Sequence, residues 1–92
     1  VRRRAAAAEF VLVAPKLAHP DWHYIDPARL VACRDALAAL CEPGIVLADV
    51  TQVWTDVLTR KRFCDLTGNG VNHPNDFGHR LYAQCVLECL EP

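Results

Sequence analysis

The stretch Asn69-Gly70-Val71-Asn72-His73-Pro74-Asn75-Asp76-Phe77-Gly78-His79 gathers polar side chains able to do chemistry. A residue before proline is held extended, because the proline ring disfavours the α region there. Asn75 or Asp76 can then start a helix at once. The His73 imidazole is thus presented from a rigid pre-helix turn. A general base needs such presentation, since it must lie within about 3 Å of the group it deprotonates. The competing structural reading is a loop histidine that only bonds nearby backbone. Asp65 lies in the same loop and can either reach back to orient His73 or cap the loop. Asp76 is read as a helix N-terminal residue interacting with the dipole, and His79 as a packing or capping residue of the last helix. His19, Trp22 and His23 form a second group, placed after the first apolar run. An aromatic ring there can stack on a sugar or an acyl chain, or can simply pack the loop.

The elements that must position these groups follow from the apolar pattern. Phe10-Val11-Leu12-Val13-Ala14 is an unbroken apolar run ending at Pro15, as in a strand buried on both faces. An irregular stretch from Lys16 to Asp26 follows. Asp26-Pro27 starts a helix expected to run to about Leu40, with a stripe of Leu30, Cys33, Leu37 and Cys41. Pro43-Gly44 stops it. Ile45-Val46-Leu47-Ala48 is a second buried strand. Asp49, with Thr51 as rival cap, begins a helix carrying Val50, Val53, Trp54, Val57 and Leu58. That helix fades into Arg60-Lys61-Arg62, a loop runs from Asp65 to Asn75, and a final helix bears Phe77, Leu81, Cys85 and Cys89. Val1 to Glu9 reads as the last turns of a helix begun earlier, and so as a sign of a longer parent chain. Alternating strands and helices imply a parallel sheet with helices on both faces. Ligands in such folds bind beyond the carboxyl ends of the strands, here Pro15-Lys16 and Asp49-Val50. Two strands do not make a stable parallel sheet, so partner strands are expected. The unpaired edges favour self-association or pairing with another chain.

Composition narrows the function. The chain has 92 residues, enough for one small domain, and 52% of them are hydrophobic. Its net charge of -1 offers no electrostatic reason for nucleic acid or an anionic membrane as partner. Arg2-Arg3-Arg4 reads as the solvated end of a helix. No run approaches the roughly 20 apolar residues of a membrane span, and no signal-peptide pattern follows the charged start. Five cysteines, an odd number without a regular framework, point away from a disulfide-stapled secreted domain and toward a reduced, cytosolic setting. Cys64, His73, His79, Cys85 and Cys89 are zinc-ligand types, but their spacings match no short ligand pattern. Core packing is the reading for Cys85 and Cys89, and no metal is expected.

The run from Gly68 to His79 resembles the last conserved block of the GDSL/SGNH hydrolases, in which a His-Pro-Asn segment followed by Gly-His leads into the C-terminal helix. The order of strands and helices upstream is similar to that family's later elements. The resemblance covers nearly all of this chain, residues 1–92, but only about the second half of the family's domain. It implies a partial flavodoxin-like three-layer α/β/α fold with parallel strands. It also implies a serine ester hydrolase in which serine attacks a carbonyl, histidine activates it and an acid orients the histidine. The substrate is then a small-molecule ester, such as an acetylated sugar or a lipid, and no cofactor is called for. His73 takes the histidine's place, and His19, Trp22 and Asn72 are the substrate-contacting candidates. The chain departs from the family in having no serine at all, so the nucleophile and its oxyanion-hole partners are missing. The family's acid sits three residues before the histidine, where this chain has Gly70. Asp65 is the substitute candidate, and a backbone carbonyl in a Ser–His dyad is its rival. Alone, the chain is expected to be inactive. The alternative is a non-catalytic module that completes its sheet with a partner chain.

Overall fold

The computed structural model describes residues 7–91. Among them the order is β1 (Phe10–Val13), α1 (Pro27–Ala38), β2 (Ile45–Ala48), α2 (Val50–Val57), α3 (Phe63–Leu66) and α4 (Asp76–Leu90). The chain is therefore mixed α/β, with a two-stranded parallel sheet and four helices among the described residues. β1 and β2 pair with Phe10 opposite Ile45 and Val13 opposite Ala48. The ladder is extended at both ends, where Phe10 N–H donates to the Gly44 carbonyl (2.8 Å) and Ala14 N–H to that of Ala48 (3.0 Å). Gly44 enters β2 with φ +88°, a left-handed conformation that suits glycine. No helix among the described residues is long and apolar enough to cross a membrane.

The helix starts are local events. Asp26 accepts from Ala28 N–H, with Pro27 fixing the first turn. Asp49 caps α2 through Gln52 N–H at 3.0 Å. Its rival Thr51 is buried and donates instead to the Pro15 carbonyl, tying α2 to the chain leaving β1.

The core lies where α2, α3 and α4 meet the sheet. Trp54, Leu66 and Val50 are fully buried, with Ala48 and Cys85 beside them. Trp54 meets Tyr82 edge-on, with ring centroids 5.6 Å apart. Burial pushes the Cys85 thiol up from its ordinary value, and the Glu88 charge adds to this.

Several expectations are corrected here. α1 ends at Ala38, because the amides of Leu40 and Cys41 reach back only three residues, to Leu37 and Ala38, and tighten the turn. Its stripe buries no residue, and Cys33 and Cys41 are exposed. Asp65 is not loop but part of α3, a short helix the apolar pattern did not signal. In α4 Cys85 is buried and Leu81 and Cys89 pack on the core as expected, but Phe77 remains 38% exposed and Gly78 is buried beside it. The Arg2-Arg3-Arg4 cluster lies outside the described residues, as does most of the expected Val1–Glu9 helix; Ala7 to Glu9 are not helical.

Gly78 is a position where size decides. A Cβ there would sit 2.5 Å from the Leu66 carbonyl oxygen, 2.9 Å from Pro74 Cβ and 3.1 Å from the Trp54 ring. Replacing an interior helix glycine by alanine ordinarily gains about 1 kcal/mol, whereas overpacking costs about 1–3 kcal/mol. The clash with fixed backbone wins, so Gly78→Ala is expected to lower the urea midpoint. Gly68→Ala, where a Cβ meets nothing within 4 Å, is expected to stay within about 0.5 kcal/mol of the parent. Equal midpoints for the two variants would show that the α3–α4 contact is not tight.

Candidate functional site

The candidate site is built at the carboxyl ends of the strands. Beyond β1, Lys16 N–H donates to the Tyr82 hydroxyl (3.2 Å), and three residues on His19 N–H donates to the Val71 carbonyl (2.9 Å). Burial raises the Tyr82 hydroxyl above its ordinary value, against the smaller opposing pull of the Lys16 bond. α4 therefore begins at this edge of the sheet. Near its C-terminal end its Cys89 thiol reaches the Leu47 carbonyl of β2 (3.6 Å).

The loop carrying His73 is closed on itself. Thr67 and Pro74 form an antiparallel bridge, and Gly68 N–H donates to the His73 carbonyl at 2.9 Å. Inside this ring the Asn69 Oδ1 accepts from the amides of Val71 (2.9 Å), Asn72 (3.0 Å) and His73 (3.2 Å). Gly70, at φ +74°, lets the backbone turn back over Asn69. Both backbone polar groups of His73 are thus bonded, while its side chain is exposed.

Asn75 joins this loop to the core. Its Oδ1 caps α4 through Gly78 N–H, its Nδ2 donates to the Asp65 carbonyl, and its own N–H donates to that of Leu66, each at 2.9 Å. Asp76 follows in the first turn of α4, where a carboxylate favours the helix dipole.

The other sequence candidates divide. His19 and Trp22, with Asp21, Gly70 and Val71, line a cavity of about 270 Å³. His19 also packs its ring against Phe63, with centroids 5.1 Å apart. Its Nδ1 accepts from Asp21 N–H (3.2 Å), so the neutral ring carries its proton on Nε2. His23 is exposed and lies against Tyr24. Asn72 turns its Oδ1 to Asn69 Nδ2 (3.0 Å). The Asp65 carboxylate is occupied elsewhere: it accepts from Arg62 N–H at 2.9 Å and lies 3.9 Å from the Arg62 guanidinium. The fold holds it within α3, where it bonds back to the N-cap residue Arg62. His79 is exposed on α4, and its N–H donates to the Asn75 carbonyl (2.9 Å). Among the described residues no three histidine, cysteine or acidic side chains come together as a metal site.

Two residues escaped sequence reasoning. Asn69 acts through bonds that exist only once the loop has curled. Gly78 acts by lacking a side chain, and its one signal was its place beside His79 in the Gly-His pair.

Comparison with known proteins returns no matching family model, no matching curated protein and no matching solved structure.

Asn75 performs two separable tasks, and its variants should separate them. Asn75→Ala loses both the cap and the Asp65 bond, and a cap alone is worth about 1 kcal/mol. Asn75→Asp keeps an acceptor for Gly78 N–H and loses only the donor. Thermal unfolding is expected to rank the parent above Asp and Asp above Ala. Equal melting of the Ala variant and the parent would mean that α4 does not depend on this cap.

Proposed function

We propose that this chain contributes the general-base histidine of a serine ester hydrolase of the GDSL/SGNH type. It would do so as part of a flavodoxin-like three-layer domain whose other strands are not in this sequence. The observation that carries the reading is the His19 N–H to Val71 carbonyl bond. That bond joins the segment leaving β1 to the His73 loop, and the loop that bears the exposed His73 also gives Gly70 and Val71 to the wall of the cavity lined by His19 and Trp22. Parallel α/β sheets bind ligands in this position.

In this reading a serine Oγ, supplied by the absent part of the domain, attacks the ester carbonyl while His73 takes its proton. The alcohol then leaves with that proton, and water, activated by His73, releases the acid. His19 and Trp22 line the cavity that would hold the substrate, whereas the Asn72 side chain is bonded to Asn69 within the loop. Asp65 can orient His73 only by exchanging Arg62 for it. With Asp65 held within α3 against Arg62, the arrangement favours a Ser–His dyad.

The test is complementation. A serine-bearing first half of an SGNH-type domain is added to this chain, and hydrolysis of a chromogenic short-chain ester is followed. His73→Ala is expected to lower kcat by at least about 1,000-fold, as loss of a catalytic base does. An unchanged rate would remove His73 from the chemistry.

A second reading, a module that completes its sheet with another chain, is favoured by the exposure of Val13 (43%) and Val46 (41%) on the two strands. It predicts that the chain sediments as a dimer or larger species, and that Val46→Lys returns it to monomer. A monomer at every concentration would count against that reading.

A further inference from the structure

We infer that Asn69 is a positioning residue for His73, a role that rests on the general-base reading above. The loop offers His73 no side-chain partner, so the ring's placement depends on the backbone that bears it. That backbone is held from within by one oxygen. Asn69 Oδ1 accepts from three consecutive amides, at 2.9, 3.0 and 3.2 Å, the last being that of His73 itself. Its Nδ2 donates to Asn72 Oδ1, which fixes the amide's orientation and leaves Oδ1 facing the three donors.

His19 N–H holds the Val71 carbonyl from outside the loop, but among the described residues Asn69 alone engages the amides of residues 71 to 73. Asn69 and His73 are exposed, so the loop has no apolar packing around these two residues to hold it. The Thr67–Pro74 bridge and the Gly68 to His73 carbonyl bond close the ends of the ring but leave the three amides unengaged. Without Asn69 these amides would turn to water at little cost in stability, and the loop would sample several shapes. A base must sit within about 3 Å of its target, and a displacement near 1 Å is enough to slow a reaction on the order of 100-fold. The loss would fall on kcat, since the cavity walls that bind substrate lie largely on other segments.

Two measurements test this. In the 92-residue chain, amide hydrogen exchange is read at residues 71, 72 and 73 for the parent, Asn69→Ala and Asn69→Asp. Protection is expected to vanish in the Ala variant and to survive in the Asp variant, which keeps an acceptor oxygen in place. Equal exchange in the parent and Asn69→Ala would overturn the inference. In the complemented enzyme, Asn69→Ala is expected to lower kcat on the order of 100-fold with KM unchanged, and Asn69→Asp to restore it. If His73→Ala abolishes activity while Asn69→Ala leaves kcat intact, the positioning role fails and the base reading stands. If His73→Ala is without effect, both fall.

Discussion

The rest of the structure depends on the close approach of α4 to the Leu66 carbonyl and the Trp54 ring at Gly78. Any side chain there would meet backbone oxygen at 2.5 Å. Because residue 78 has none, α2, α3 and α4 converge on one point. Trp54 is fully buried there, although its indole N–H has no hydrogen-bond partner among the described residues. An unpartnered buried donor costs about 1–3 kcal/mol, while burying a large aromatic side chain contributes about 3–5 kcal/mol. Packing wins, and the site is set by shape rather than by polar pairing. The His73 loop is suspended from this junction. Asn75 bonds to the carbonyls of Asp65 and Leu66 on one side and caps α4 on the other.

The sheet plays a lesser part. Two short parallel strands supply a floor, and the chain leaving β1 is held by side chains from the helices, Thr51 on the Pro15 carbonyl and Tyr82 on the Lys16 amide. α1 is the least integrated element. Nothing on it is fully buried; of its apolar stripe Leu30 and Leu37 are half-buried and Cys33 is exposed.

What could be read from the sequence was what depends on near neighbours. The two strands announced themselves as unbroken apolar runs, and Asp26, Asp49 and Asn75 cap helices because each accepts from an amide two or three residues ahead. α3 was missed because four residues show no periodicity. Asp65 was misplaced for a related reason: Arg62, three residues earlier, competes for its carboxylate before the loop has begun. The neighbourhood of His19, Trp22 and the His73 loop was foreseen from topology. Asn69 was not, since its three amide donors become a common target only after Gly70 turns the chain. The stripe on α1 predicted burial that the fold meets only in part, because periodicity records which face is apolar and not how fully anything covers it.

The two tryptophans occupy opposite circumstances. Trp54 is sealed in the core against Tyr82, whereas Trp22 is part-exposed on the cavity wall with Tyr24 at its edge. Indole emission shifts to longer wavelength as water reaches the ring, so the two fluorophores differ in colour within one chain. A quencher dissolved in the solvent reaches Trp22 and leaves Trp54 bright. Light from the blue side of the spectrum reports whether the helices remain docked. Light from the red side reports what occupies the cavity, and both can be read from one cuvette without adding a label.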